Sequence, residues 1–157
     1  MSVDVRALLP HRYPIALVDR VVTAVPGEWL VAVKAVTGNE PCYHDLGAGA
    51  TREQRAYPPS LLLESWAQAA AVLDRLSRTA DAGLDGKVLL FGSVAEVEFG
   101  AAVYPGSVVE HHVRLVRALT DTVIFEGECR AGAAPVMTVG RMVMAIRPAE
   151  QVLGARG

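Results

Sequence analysis

Glu64 is the residue whose type and position most readily do chemistry. It is the one early charge in YPPSLLLESWAQAAAVLDRL, the stretch from Tyr57 to Leu76. Helical spacing places Leu61, Glu64, Gln68 and Ala71 on one stripe, setting a carboxylate and an amide among small apolar neighbours. A carboxylate so placed is partly desolvated, which raises its pKa, and a carboxyl kept protonated near neutral pH is what general-acid catalysis needs. The same position also suits a structural role, pairing with a buried arginine or capping a backbone group. The other reactive types are less promising. Cys42 and Cys129 lack the spacing of a zinc site and read as small buried residues in a reduced protein. His111 and His112 are adjacent in a strand-like run, so they point to opposite faces and cannot form one site; His111 reads as half-buried and satisfied, His112 as solvent-facing.

The elements that must position Glu64 are legible in outline. Pro58 and Pro59 open the helix, where proline is tolerated because the first N–H groups have no partner anyway. Being apolar nearly all round, that helix belongs at the centre of the domain with the other elements wrapped about it. Val3 to Leu9 suits a short helix that PHRYP ends. Ala16 to Val25 and Glu28 to Val36 are β-branched runs about Pro26 and Gly27, a hairpin. Thr37 to Tyr57 has no periodicity, and so long a connection is often a functional lid or substrate loop. Within it GAGAT, Gly47 to Thr51, resembles the start of a dinucleotide fingerprint, but no strand feeds it and the third glycine is missing, so it reads as a flexible loop. Asp81 to Gly86 is turn-like. Strands follow over Lys87 to Phe99, Ser107 to Leu119, Asp121 to Ala131 and Val136 to Ile146. The expected class is α+β, an antiparallel sheet of about six strands curled around one long central helix. Residues 1–147 form one domain and 148–157 a flexible tail.

Composition narrows the function. A chain of 157 residues with a net charge of −2 has no basic cluster for nucleic acid. Its opening segment carries charges and a proline where a signal peptide needs an unbroken apolar run, and no segment is long enough to span a bilayer; the cytoplasm is the expected location. A hydrophobic content of 52% is high for a monomer and points to apolar surface covered by another subunit.

Four stretches then carry a resemblance: LLPHRYPIALVDRV (Leu8 to Val21), NEP (Asn39 to Pro41), PSLLLESWAQAAAVL (Pro59 to Leu73) and VEFGAAVYPGSVV (Val97 to Val109). They are similar to the FabZ-type 3-hydroxyacyl-ACP dehydratases of fatty-acid and polyketide synthesis. The resemblance implies a hotdog fold, a dimer whose sheets join edge to edge, and an acyl substrate carried as a thioester on the phosphopantetheine of an acyl carrier protein, with no metal or redox cofactor. It also implies a loop histidine that removes the α-proton and a helix carboxylate from the other subunit that protonates the departing hydroxyl. Glu64 matches the carboxylate and Gln68 the glutamine after it. The histidine position falls on Ala50 counted back from Glu64 and on Leu46 counted forward from Asn39, because the loop is longer here. His44 is the loop's one histidine and so the candidate base. Pro59 stands where the family has a glycine whose N–H polarises the thioester carbonyl. Tyr57, Pro59, Ser60 and Gln68 are the candidate substrate-binding residues, and Tyr43, Tyr57, Trp66 and Phe91 candidate walls of an acyl tunnel. Two rival functions keep the same fold: a degenerate subunit that lends Glu64 to a related hotdog partner in a heterodimer or higher oligomer, and a thioester hydrolase.

Overall fold

The computed structural model describes residues 3–78 and 86–154. Helix α1 (Val5–Leu8) is followed by strands β1 (Arg20–Val25) and β2 (Trp29–Ala35), then by the long helix α2 (Pro59–Ser77). Strands β3 (Lys87–Phe99), β4 (Val108–Ala118), β5 (Thr122–Ala131) and β6 (Ala134–Pro148) complete a single antiparallel sheet, and α3 (Ala149–Leu153) closes the described chain. The sheet runs β1-β2-β4-β5-β6-β3, so β3 is an edge although it directly follows α2. This is the expected helix wrapped by a six-stranded sheet.

Helix α2 starts where the prolines dictate: the Pro58 carbonyl accepts from the Leu61 and Leu62 N–H groups. Trp66, Ala69, Ala70, Val72 and Leu73 have no exposed surface, and the alanines let the helix lie close to β2 and β4. The Trp66 indole N–H donates to the His112 carbonyl at 3.1 Å. Beneath that ring is Gly127, at a bulge in β5 and with φ +154; a Cβ there would collide with the His112 carbonyl and stand 3.2 Å from the indole. Only glycine leaves that room. The pleat sets the faces of β5: Val123, Phe125 and Cys129 are buried, while Ile124, Glu126 and Glu128 are less so.

Several expectations need correction. Strand β1 begins at Arg20 rather than Ala16, because Ala16 to Asp19 is held as irregular chain by single bonds, among them Asp19 N–H to the Val33 carbonyl at 2.9 Å. The long connection contains two 3-10 turns, Pro41–Tyr43 and Glu53–Arg55. It is also anchored: the buried Lys34 ammonium donates to both Glu40 carboxylate oxygens at 3.2 Å and lies 5.6 Å from the Tyr57 ring centre. In the C-terminal segment Arg147 and Pro148 extend β6, and Ala149–Leu153 form a helix. The turn expected at 81–86 lies outside the described residues except for Gly86.

His111 is fully buried rather than half-buried, with Nδ1 3.0 Å from Cys129 Sγ. Burial, helped by the Lys34 and His112 charges, lowers its pKa from 6.5 to about 3. Burial also raises the Cys129 thiol. Both shifts favour neutral partners, so the pair is not a thiolate–imidazolium nucleophile. The ring is neutral when folded but takes a proton near pH 6.5 when unfolded. The unfolded state therefore binds more protons through that window, and stability falls as pH falls. The expected loss attributable to His111 is about 2 kcal/mol at pH 5. Urea unfolding of wild type and His111→Leu from pH 7 to 5 checks it: the variant's stability must fall less steeply with acid.

Candidate active site

Gln68 is the anchor of the site. It is 1% exposed, and each end of its amide is engaged. Its Oε1 accepts from the Leu17 N–H at 2.9 Å, and its Nε2 donates to the Ile15 carbonyl at 2.8 Å and to Glu64 Oε1 at 2.9 Å. One turn of α2 thus fixes both the carboxylate and the irregular segment before β1. A buried amide needs its polar atoms engaged, and this one uses both N–H donors and one carbonyl lone pair. Glu64 keeps 39% of its side chain exposed, at a cleft of about 120 Å³ also lined by Ala67, Ala71, Leu89, Phe91 and Met144. Small residues on α2 open the space, and β3 and β6 supply its apolar wall.

The other expected residues are placed differently. His44 is 75% exposed on the loop, with Nε2 3.1 Å from its neighbour Asp45 and Nδ1 3.0 Å from the Pro41 carbonyl. It does not line the Glu64 cleft, and neither do Leu46 or Ala50, which sit in turns closed on Tyr43 and Gly47. Tyr57 is a core residue, 3% exposed, whose N–H donates to the Val103 carbonyl at 2.7 Å. Burial and the Glu40 charge raise its phenol, and burial with Cys42 and Glu40 pushes Tyr43 up to about 12. Neither is a useful proton donor at neutral pH. Pro59 and Ser60 are exposed at the start of α2. With prolines at 58 and 59, the first N–H the helix can offer is that of Ser60. Of the aromatics, Trp66 belongs to the core and Phe91 to the cleft. Among the described residues, no group of three or more His, Cys, Asp or Glu could hold a metal ion.

The residue not anticipated is His11. Its Nε2 lies 3.4 Å from Glu64 Oε1, and it lines the same cleft. PHRYP reads locally as a helix terminator, and only Gln68, bonding Ile15 and Leu17 across the fold, brings it to the carboxylate. A histidine between two prolines just after a helix was the available signal.

A long helix seated in one six-stranded antiparallel sheet is the hotdog fold, and here it carries an amide-held carboxylate at a cleft beside the edge strand. A FabA-like domain model matches residues 9–139. A 3-hydroxyacyl-[acyl-carrier-protein] dehydratase FabZ from Oleidesulfovibrio alaskensis is 42% identical over 114 residues, 73% of this chain and 70% of the relative. The FabZ of Colwellia psychrerythraea is 33% identical over 88% of this chain and 89% of its own. The chain belongs to the FabZ-type 3-hydroxyacyl-ACP dehydratase family. Among solved structures, the dehydratase heterocomplex ApeI:P from Xenorhabdus doucetiae has a chain with a TM-score of 0.78 at 19% identity, covering 97% of this chain and 98% of that one. The fluoroacetyl-CoA thioesterase FlK follows the same fold at a TM-score of 0.62 and 15% identity, covering 83% of this chain and 94% of that one.

Proposed function

We propose that this chain removes water from 3-hydroxyacyl thioesters on acyl carrier protein, giving the 2-enoyl thioester in fatty-acid or polyketide synthesis. The observation that carries the reading is Glu64, held by Gln68 at an open cleft within a chain of the FabZ family. Glu64 gives its proton to the departing β-hydroxyl while a base takes the α-proton, and the Ser60 N–H is the helix amide left to polarise the thioester carbonyl. Base, acid and carbonyl polarisation suffice for this elimination, so no metal or redox cofactor is assigned to it. No helix among the described residues is long and apolar enough to cross a membrane. The reading places the protein in the cytoplasm with acyl carrier protein as its partner. Edge strand β3, with Phe91 54% and Phe99 49% exposed, is the surface for sheet-to-sheet pairing with a second hotdog subunit.

A second reading is favoured by the residues at the family's histidine and glycine positions. With Leu46 or Ala50 for one and Pro59 for the other, the chain would act as the carboxylate-bearing subunit of a heteromeric dehydratase. Incubating the purified chain with 3-hydroxyacyl-ACP and resolving products by mass separates these. Enoyl-ACP from the chain alone supports the first reading, product only with a related histidine-bearing chain supports the second, and free thiol with hydroxy acid identifies a hydrolase and overturns both.

A further inference from the structure

We infer that His11 is the base of this site, so that both proton-transferring groups come from one chain. The inference rests on the dehydration reading above and adds its missing partner. Geometry comes first: Nε2 of His11 and Oε1 of Glu64 are 3.4 Å apart at a shared cleft. Syn elimination removes a proton and a hydroxyl from neighbouring carbons, so its base and acid must lie within a few ångströms of each other. These two do. His44, by contrast, has both ring nitrogens engaged with its own loop.

The ring nitrogens of His11 are little engaged. Here Nδ1 is shielded from solvent with no partner, and Nε2 faces only the carboxylate. No second hydrogen bond fixes the tautomer. Meanwhile the segment bearing the ring cannot drift, because Gln68 holds Ile15 and Leu17 while also holding Glu64. One buried amide therefore sets the spacing of the pair. The cleft wall of Leu89, Phe91 and Met144 is apolar, as suits the methylene from which the proton is taken.

The steps balance. The elimination starts with His11 Nε2 as proton acceptor and Glu64 as proton donor. His11 takes the α-proton as the Cα–H bond breaks and its electron pair forms the Cα=Cβ bond. The Cβ–O bond breaks, and the oxygen leaves as water with the proton of Glu64. The imidazolium then returns its proton to the carboxylate across the gap, restoring the starting pair. No external acid, base or oxidant enters.

The test compares wild type, His11→Ala, His11→Gln and His44→Ala with 3-hydroxyacyl-ACP, following enoyl product by mass with melting temperatures alongside. Glutamine can still hydrogen-bond Glu64 but cannot carry the α-proton, so it separates a base from a residue that only positions the carboxylate. Both His11 variants are expected to remain folded and lose about 10²–10⁴-fold in kcat, the usual share of a general base. Added imidazole should restore part of the His11→Ala rate. A His11→Gln rate within about tenfold of wild type overturns the inference, as does turnover that survives in His11→Gln and disappears in His44→Ala; dehydration stands in either case. Wild type silent alone also overturns it, since a self-contained pair needs no partner. Restoration by a histidine-bearing relative would then preserve the dehydration reading, and continued silence would end that too.

Discussion

Glu64→Gln is expected to lower kcat for 3-hydroxyacyl-ACP by about 10²–10⁴-fold while leaving the fold intact. The substitution is nearly isosteric, and the amide oxygen of the new side chain can accept the Gln68 Nε2 bond that Glu64 Oε1 now accepts. What disappears is the transferable proton. Since neither volume nor the Gln68 anchor changes, the melting temperature and the affinity for acyl carrier protein should stay close to wild type. A loss confined to kcat therefore identifies a group acting on the reacting atoms, whereas a rise in KM alone would identify one that only binds substrate. Turnover within about tenfold of wild type would remove Glu64 from the chemistry. In the heteromeric reading the same variant must silence the complex while leaving assembly unchanged. The experiment thus measures Glu64 whichever subunit supplies its partner.

Where sequence and structure agree, the cause is local. Pro58 and Pro59 followed by a long apolar run fix the start of α2 because helix initiation depends on adjacent residues. The alternation of Val123, Phe125 and Cys129 against their neighbours is likewise set by the pleat, residue by residue. Glu64 and Gln68 share a face by helical spacing, and the bond between them follows. His11 depends on a different kind of information. It reaches Glu64 only because a glutamine 51 and 53 residues further along captures Leu17 and Ile15, a contact that no periodicity encodes. His44, near the helix in sequence, is tied to its own loop by contacts to Asp45 and Pro41. The depth of His111 also exceeds what alternation conveys: alternation gives its face, but full burial depends on Cys129 lying across the ladder in β5. Helix α3 was missed because five residues after Pro148 give too little periodic signal.

Trp66→Ala is expected to destabilise the chain by about 3–5 kcal/mol, the range for truncating a large buried aromatic. Three features place Trp66 at that level. It is fully buried and the largest such side chain among the described residues. Its indole covers Gly127, where the sheet has no Cβ to fill a vacancy, so the cavity has little means of collapse. Its N–H bonds the His112 carbonyl, tying α2 to β4 directly. Trp66→Phe separates these contributions: it keeps most of the apolar contact and loses the hydrogen bond, for which about 1 kcal/mol is expected. Urea unfolding of the three proteins gives both numbers, and a cost below about 1.5 kcal/mol for Trp66→Ala would show that the seat of α2 lies elsewhere. The consequence for function follows from the chain. Glu64 lies on the same turn as Trp66, and its pairing with His11 depends on the height of α2 above the sheet. Trp66→Phe should therefore retain turnover where it remains folded, while Trp66→Ala, which removes both the packing and the N–H tie that set that height, should lose activity at temperatures below its own melting transition.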